Sequence, residues 1–273
     1  MERKISSARF AVLGLGKLGG ILLEAFLRQG LVRAENVKAT VHHAENAGTC
    51  AQTYGVDVST DNPGAVREAD VVLLCVKPSG VKGVCEEIAP HLRDGAMLVS
   101  VAASVPIGFI EELVGERPVV RAMPNTPAVI GRGMTGIATG RFAGPEHLEL
   151  AQRLFDAIGR TVVLDEKHMD AVTGLSASGP AFIYVVLESL AEAGVKVGLP
   201  RDVATLLASQ CTLGAAEMVL QSGSHPALLK DAVTTPAGCT IDGLLELEEG
   251  GVRVTLIKAV VKATQRAAEL WQV

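Results

Sequence analysis

The sequence predicts an α/β protein in which a domain built on a parallel sheet is followed by an all-helical domain. Short apolar runs alternate with helical patterns over residues 1–165, as is typical of a parallel sheet with helical crossovers. From Glu166 onward the pattern is helical, with no clear strand. Hydrophobic residues make up 48% of the chain but aromatic residues only 3%, which suits closely packed helices and sheets. The predicted domains are therefore residues 1–165 and 166–273.

The strands of the first domain are predicted from short apolar runs. Residues 70–76 form an almost uninterrupted run, which is typical of a strand buried on both faces. The other predicted strands are residues 9–13, 37–41, 96–103 and 119–122. A helix is predicted to begin in the glycine-rich segment 14–19 and to end near Arg28, where Gln29-Gly30 supplies a glycine stop.

The second domain is predicted from three long segments rich in Ala, Leu and Val, at residues 181–193, 201–221 and 251–270. Residues 206–220 carry apolar side chains on more than one face. A helix that is apolar all round must be buried on all sides. We therefore expect a second copy of the chain to supply that burial, in a homo-oligomer with a dimer as its minimal unit. A self-contained helical bundle is the alternative.

Composition excludes several classes of partner. The net charge of −5 argues against nucleic acid, because phosphate binding needs a basic surface. The uncharged apolar runs are shorter than the ~20 residues of a membrane helix. No apolar signal region follows Met1-Glu2-Arg3-Lys4, and the five cysteines are scattered, so we expect a reduced, cytoplasmic protein. No cluster of His, Cys and Asp has metal-ligand spacing, and no metal site is predicted.

A dinucleotide site is predicted at the first glycine-rich turn. Gly14-Leu15-Gly16-Lys17-Leu18-Gly19 follows a predicted strand and opens a predicted helix, as in Rossmann-type domains. Gly14 allows the tight turn, Gly16 lets a pyrophosphate approach, and Gly19 lets helix and strand pack closely. We predict that all six residues contact the cofactor. Glycines that merely form a tight turn are the alternative.

The end of the second strand indicates which dinucleotide is bound. Thr40-Val41-His42-His43 contains no acid, and the first carboxylate is Glu45. A site for NAD commonly places Asp or Glu there, and its absence favours the 2′-phosphate of NADPH, with NADH as the alternative. Thr40, His42 and His43 are the predicted donors to that phosphate. No arginine is present, neutral histidines bind phosphate poorly, and two adjacent histidines can equally be solvated loop residues.

A substrate site is predicted at the loop formed by residues 230–240. Pro236 and Gly238 bend the chain, Thr240 is predicted to cap a helix, and an apolar pattern begins at Ile241. Open amides at such a helix start form a cradle for a carboxylate. The predicted substrate-binding residues in this loop are Gly238, Cys239 and Thr240. Cys239 is interpreted as a small spacer, because no base neighbours it.

Four separated motifs resemble those of the pyrroline-5-carboxylate reductases. They are Val76-Lys77-Pro78, Arg121-Ala122-Met123-Pro124-Asn125-Thr126-Pro127, the segment 170–181, and the loop 230–240. The chain departs from the family at Ala177, where glycine is usual, and in Ala237-Gly238-Cys239-Thr240, where Gly-Gly-Ala/Thr-Thr is common. Since Gly238 and Thr240 are retained, we expect the cradle to be retained.

The resemblance implies NAD(P)H-dependent reduction of 1-pyrroline-5-carboxylate to L-proline, the last step of proline biosynthesis, by dimers that often form larger rings. It implies further cofactor contacts at Asn62, Cys75, Val76, Lys77, Pro78, Ala103 and Asn125, and substrate contacts at Glu166 and Ser176. Thr240 is the one catalytic side chain that we predict. Lys77 and Glu166 can equally be solvated, Asn125 a turn residue, and Ser176 a partner of backbone groups.

The sequence is also compatible with two other functions. A β-hydroxyacid dehydrogenase-like reductase shares the order of domains but needs a helical lysine as acid and base, and Lys196 lies in a Gly-rich connection. A non-catalytic dinucleotide-binding regulator would share the fold as well. The intact loop that ends in Thr240 argues against the regulator.

Overall fold

The computed structural model describes residues 7–270, so the Met1-Glu2-Arg3-Lys4 segment lies outside the described residues. They fall into two compact units, one of residues 7–178 with 262–270 and the other of Gly179–Val261. The predicted domain boundary at residues 165/166 stays a prediction. Residues 7–270 contain the strands β1 (Phe10–Leu13), β2 (Val37–Thr40), β3 (Asp57–Ser59), β4 (Val71–Leu74), β5 (Met97–Ser100), β6 (Val119–Met123), β7 (Gly133–Thr139) and β8 (Gly159–Val163).

These strands form one sheet in the order β3-β2-β1-β4-β5-β6-β7-β8. Every neighbouring pair is parallel except β6 and β7, which are antiparallel. The predicted α/β class is confirmed. Two predicted strands are too long, because pairing covers only Val71–Leu74 of residues 70–76 and Met97–Ser100 of residues 96–103. β3, β7 and β8 were not predicted.

Helices cover both faces of this sheet. The α-helices of the first unit are α1 (Lys17–Arg28), α2 (Ala47–Tyr54), α3 (Asn62–Val66), α4 (Val81–Ile88), α5 (Ile107–Val114), α6 (Pro145–Asp156) and α7 (Met169–Val172). Because side chains alternate along a strand, Phe10 and Val12 of β1 join one core cluster while its Ala11 and Leu13 join the other. The first cluster includes α1 and α6, and the second includes α4 and α5.

The second unit is helical, as predicted. Its helices are α8 (Gly179–Lys196), α9 (Arg201–Ser222), α10 (Pro226–Ala232) and α11 (Cys239–Glu249), and α12 (Val252–Glu269) is divided between the two units. α8 packs against α9 where Gly194 meets Ala204, since a Cβ on Gly194 would lie 2.8 Å from that of Ala204. Among the residues of Gly179–Val261, only Ala191, Ala204 and Ala208 are buried.

Large apolar side chains of α9 are therefore left exposed. Leu206 is 68% exposed and Leu213 51%. By length and composition alone, Glu166–Lys196 and Arg201–Ser222 are also long and apolar enough to cross a membrane. Isolated charges within these helices keep the uncharged runs shorter than ~20 residues without making the helices polar, and the absence of a membrane partner stays a prediction. Core helices of soluble proteins and helices of subunit interfaces have the same composition.

Candidate active site

The glycine turn between β1 and α1 is built by close packing. Gly14 has a φ of +88°, and a Cβ there would lie 2.7 Å from a methyl carbon of Val76. The backbone amides of Gly14 and Leu15 donate to the carbonyl oxygen of Thr40, at 3.2 and 2.7 Å. Only glycine fits this turn, because both its backbone conformation and its contact with Val76 exclude a side chain.

The next two glycines have different surroundings. Gly16 is the N-cap of α1, and a Cβ there would meet nothing within 4 Å. A Cβ on Gly19 would lie 2.7 Å from the carbonyl oxygen of Gly14 and 3.1 Å from Cβ of Cys75. Gly16 thus leaves open space over a helix N-terminus whose amides no side chain caps, while Gly19 brings helix and strand together.

A cleft of about 700 Å³ opens beside this turn, at the carboxyl ends of the parallel strands. Ligands of open α/β sheets bind at this edge. Eight predicted cofactor residues line it: Gly14, Leu15, Gly16, His42, His43, Cys75, Val76 and Lys77. Burial raises the pKa of the Cys75 thiol to about 12, so this thiol is neutral near neutral pH and is no nucleophile.

The cleft also has walls that sequence reasoning missed. Asn46, Thr49 and Cys50, in and just before α2, line it together with Ser79 and Gly80 before α4. Their position in the sequence could have indicated these residues, since both segments follow parallel strands at the edge of the sheet where ligands bind. Polar side chains such as Asn46, Thr49 and Ser79 give this wall hydrogen-bonding groups.

At the end of β2 the two histidines are exposed and Thr40 is not. The rings of His42 and His43 meet edge to face, with centroids 4.7 Å apart, and Nδ1 of His43 lies 3.8 Å from a carboxylate oxygen of Glu45. Thr40 is only 2% exposed, and its hydroxyl donates to Oδ1 of Asn62 at 2.7 Å. The interpretation of Thr40 as a phosphate donor is therefore wrong, because its one hydroxyl proton is already used inside the fold.

The remaining predicted cofactor residues lie outside the cleft lining. Lys17 and Leu18 begin α1, Pro78 begins a 3₁₀ turn before α4, and Ala103 follows β5. Asn62 is the first residue of α3, and its Nδ2 donates to a carboxylate oxygen of Glu87 at 2.8 Å. Their contacts with a cofactor stay predictions.

Asn125 connects three segments of the first unit. Its Oδ1 accepts from the amide of Met134 at the start of β7, at 2.9 Å. Its Nδ2 donates to the carbonyl oxygen of Ser176 at 3.2 Å and approaches the Ser176 hydroxyl at 3.4 Å. Ser176 lies in a π-helical turn, Thr173–Ala177, of the kind often found at functional sites. The predicted motifs around Asn125 and Ser176 are thus in direct contact.

A buried arginine holds the predicted Glu166. Arg121 of β6 is 4% exposed and forms ion pairs with Glu166 at 3.3 Å and Asp170 at 3.1 Å. The same oxygen of Glu166 accepts from the amide of Ile107, at the start of α5, at 2.7 Å. One carboxylate oxygen of Glu166 is therefore committed within the fold, and its contact with substrate stays a prediction.

The loop with Thr240 belongs to the second unit. α11 begins at Cys239 with Gly238 as its N-cap, and no side chain bonds the first amides. The prediction that Thr240 caps the helix is wrong, since Thr240 is the second residue of α11. Because the cap is a glycine, the amides of the first turn remain uncovered, which is the arrangement that binds a carboxylate. Thr240 itself is half-buried, whereas Cys239 is exposed.

No metal centre accompanies these groups within the described part of the chain, since residues 7–270 hold no group of three or more His, Cys, Asp or Glu side chains placed to bind an ion.

Comparisons with known proteins cover nearly the whole chain. Residues 166–270 match the family described as pyrroline-5-carboxylate reductase dimerisation, and residues 9–104 match the family described as NADP oxidoreductase, coenzyme F420-dependent. The pyrroline-5-carboxylate reductase of Glycine max is 43% identical over 94% of each chain. That of Methanosarcina acetivorans is 41% identical over 97% of this chain and 99% of its own.

Solved structures give the same result. The pyrroline carboxylate reductase of Plasmodium falciparum, crystallised with NADP bound, superposes with a TM-score of 0.88 at 29% identity, over 97% of this chain and 99% of its own. The enzyme of Coxiella burnetii superposes with a TM-score of 0.87 at 32% identity, over 97% of this chain and 98% of its own.

Proposed function

This chain belongs to the pyrroline-5-carboxylate reductase family, and from that premise we propose how its residues reduce 1-pyrroline-5-carboxylate to L-proline, the last step of proline biosynthesis. The protein is an NAD(P)H-dependent oxidoreductase acting on a C=N bond. The observation that carries this conclusion is similarity to reductases over at least 94% of the chain, which includes both the cleft and the loop with Thr240.

The first unit is proposed to hold the cofactor. The open space at Gly16 and the uncapped start of α1 support binding of the pyrophosphate there. The exposed His42 and His43, without a carboxylate at the end of β2, support a 2′-phosphate and therefore NADPH over NADH. When bound, the dinucleotide supplies a hydride from C4 of its nicotinamide to the imine carbon.

The loop at the start of α11 is proposed to hold the substrate. The amides of Cys239 and Thr240 bind its carboxylate, as the uncovered first turn of α11 allows. The amide of Gly238 donates to the carbonyl oxygen of Thr235 at 3.1 Å, so Gly238 contributes the absence of a side chain rather than a free donor. The hydroxyl of Thr240 hydrogen-bonds the ring nitrogen and orients the imine. An aliphatic hydroxyl is too weak an acid to protonate the imine efficiently, so water supplies the one proton to the ring nitrogen before the hydride is transferred. Holding a protonated imine in line with the nicotinamide supplies most of the rate enhancement.

The oligomer is proposed to be a dimer or a ring built of dimers. The match of residues 166–270 to a dimerisation family and the exposed leucines of α9 support the dimer. A second copy would cover these side chains at a gain of ~25 cal/mol per Å² of apolar surface. We also propose a cytoplasmic location, supported by five cysteines that are all free in the described residues.

The test is oxidation of NADPH by the purified chain with 1-pyrroline-5-carboxylate, followed by absorbance, with the product identified as proline. Substrate-dependent oxidation that yields proline supports the proposal, and a repeat with NADH ranks the cofactors. Binding of NADPH without any turnover would refute the substrate assignment and favour a non-catalytic regulator.

The role of Thr240 is tested by a matched pair of variants. Thr240→Val keeps the shape but removes the hydroxyl, and we expect kcat to fall about 10- to 100-fold, the value of a hydrogen bond to a charged group. Thr240→Ser keeps the hydroxyl and should retain most of the activity. NADPH affinity should be unchanged in both. Wild-type kcat and KM in Thr240→Val would remove Thr240 from the mechanism.

A further inference from the structure

A directional chain of hydrogen bonds connects the glycine turn with a carboxylate on α4. The amide of Gly14 donates to both oxygens of Thr40, the carbonyl at 3.2 Å and the hydroxyl at 3.4 Å. The Thr40 hydroxyl donates to Oδ1 of Asn62 at 2.7 Å. Nδ2 of Asn62 then donates to a carboxylate oxygen of Glu87 at 2.8 Å. Four segments that are distant in sequence thus meet at the edge of the sheet that bears the cleft.

Chemistry fixes the direction of this chain. A carboxylate only accepts hydrogen bonds, so Glu87 requires the nitrogen side of the Asn62 amide. Thr40 is 2% exposed, and its hydroxyl accepts from Gly14, so its single proton goes to the oxygen side of the same amide. Thr40 and Glu87 therefore select the same orientation of Asn62, and each loses its hydrogen bond if the amide rotates by half a turn.

The orientation matters because an amide nitrogen carries two protons. One of those on Asn62 is held by Glu87, and the other has no partner among the described residues. Asn62 begins α3 directly after β3, at the carboxyl edge of the sheet where a dinucleotide binds. With the amide fixed, that second N–H is presented as a donor of defined direction.

We propose that Glu87 is a positioning residue for the dinucleotide, acting through Asn62 and Thr40. This inference rests on the proposed function, in which the cleft beside Gly14 binds NADPH. Glu87 itself need not touch the cofactor. Without its carboxylate, only Thr40 orients Asn62, and the amide samples orientations that present its oxygen to the dinucleotide.

The neighbouring glutamate provides a matched control. Glu86 lies on the same helix, is also exposed, and is 3.9 Å from the ammonium of Lys82 rather than near Asn62. Glu86→Ala and Glu87→Ala remove the same charge from the same turn of α4. A general effect of charge on an anionic cofactor would appear in both variants, and an effect of orienting Asn62 only in the second.

The experiment is a calorimetric titration of the full chain with NADPH. We expect Glu87→Ala to weaken binding about 3- to 10-fold, the value of one hydrogen bond, and to raise KM for NADPH with little change in kcat. Glu87→Gln keeps an acceptor oxygen but adds a donor, so it should restore part of the lost affinity, and Glu86→Ala should not weaken binding. In a background of Asn62→Ala, the further change Glu87→Ala should have no effect, because the two act in series.

Two failures are distinguishable. If Glu87→Ala and Glu86→Ala bind NADPH equally, or if Glu87→Gln binds as weakly as Glu87→Ala, the inference is overturned while the reductase assignment stands. If the affinities follow the expected order but no proline forms, the substrate assignment fails and the inference stands, because the titration contains no substrate.

Discussion

Replacing Arg121 by methionine tests whether the buried ion pairs of β6 hold the first unit together. Arg121 is 4% exposed and is the shared partner of Glu166 and Asp170, which lie 45 and 49 residues further along the chain. Methionine fills much of the same volume without charge. The change therefore leaves two carboxylates beside an apolar side chain, while the amide of Ile107 keeps its acceptor on Glu166.

The magnitude follows from how buried the partners are. Removing one member of a fully buried ion pair costs about 3–5 kcal/mol, because the remaining charge has lost its partner. The side chains of Glu166 and Asp170 are each 33% exposed, so water recovers part of that loss. We expect the free energy of unfolding to fall by about 2–3 kcal/mol, which corresponds to a decrease in Tm of roughly 4–12 °C for a unit of this size.

Urea and thermal unfolding, followed by circular dichroism, measure this loss. Arg117→Met is the control, because Arg117 is half-buried and its guanidinium donates to the carbonyl oxygens of Val114 and Leu92 rather than to a carboxylate, so its removal leaves no charge without a partner. Arg117→Met should lower the free energy of unfolding by about 1 kcal/mol.

A rescue experiment separates charge from packing. Adding Glu166→Gln and Asp170→Asn to Arg121→Met removes the unpaired charges and should recover at least half of the loss, since neutralising a whole buried cluster costs less than breaking it. If Arg121→Met is no worse than Arg117→Met, or if the triple variant recovers nothing, the ion pairs do not hold the unit together.

The remaining predictions concern backbone strain and a buried thiol. Ser104 has a φ of +68°, and its buried hydroxyl has no partner among the described residues, so Ser104→Gly should raise the free energy of unfolding by about 1 kcal/mol in urea titrations; an unchanged midpoint would contradict this. Burial raises the pKa of the Cys85 thiol from 9.0 to about 12, so the thiol loses its proton at lower pH in the unfolded chain than in the folded one. The stability that this thiol contributes is therefore fully present below pH 9.0 and is lost as the pH rises toward 12. Between pH values of about 9 and 10 the wild type should lose about 1 kcal/mol more than Cys85→Ala; parallel curves would show that the thiol does not contribute.

The parts of the fold that the sequence predicts correctly depend on local signals. β4 was predicted because Val71–Leu74 is an uninterrupted apolar run, and the glycine turn because its glycines follow a strand and open a helix. Gly14 and Gly19 meet a local steric demand there, while Gly16 leaves open space. β3 was not predicted because its three residues are exposed or only partly buried and show no apolar pattern. β7 was not predicted because its glycines interrupt the apolar pattern of a strand. Gly133 is required by its neighbours, since a Cβ there would lie 2.9 Å from the carbonyl oxygen of Ile158 and 3.0 Å from Ala128.

The candidate site divides in the same way. The glycine turn could be predicted because its conformation depends on residues that are close in sequence and on the spacing of its three glycines. The role suggested for Thr40 could not, because it depends on Asn62, which lies 22 residues further along the chain. The sequence predicts no separate role for Arg121, since nothing near it along the chain reveals the two carboxylates with which it pairs. A polar side chain whose partner is brought close only by the fold leaves no periodic pattern in the sequence from which the contact could be predicted.

The apolar residues of α9 cannot be explained by packing within one subunit. Its apolar residues follow no single face, and in a single chain only Ala204 and Ala208 of its 22 residues are buried. Leu206 and Leu213 remain more than half exposed. Selection for folding within one chain would not require these leucines, because they contribute nothing there and promote aggregation. Their presence is explained if the folding unit is an assembly, so that the stability of the second unit is expected to depend on protein concentration.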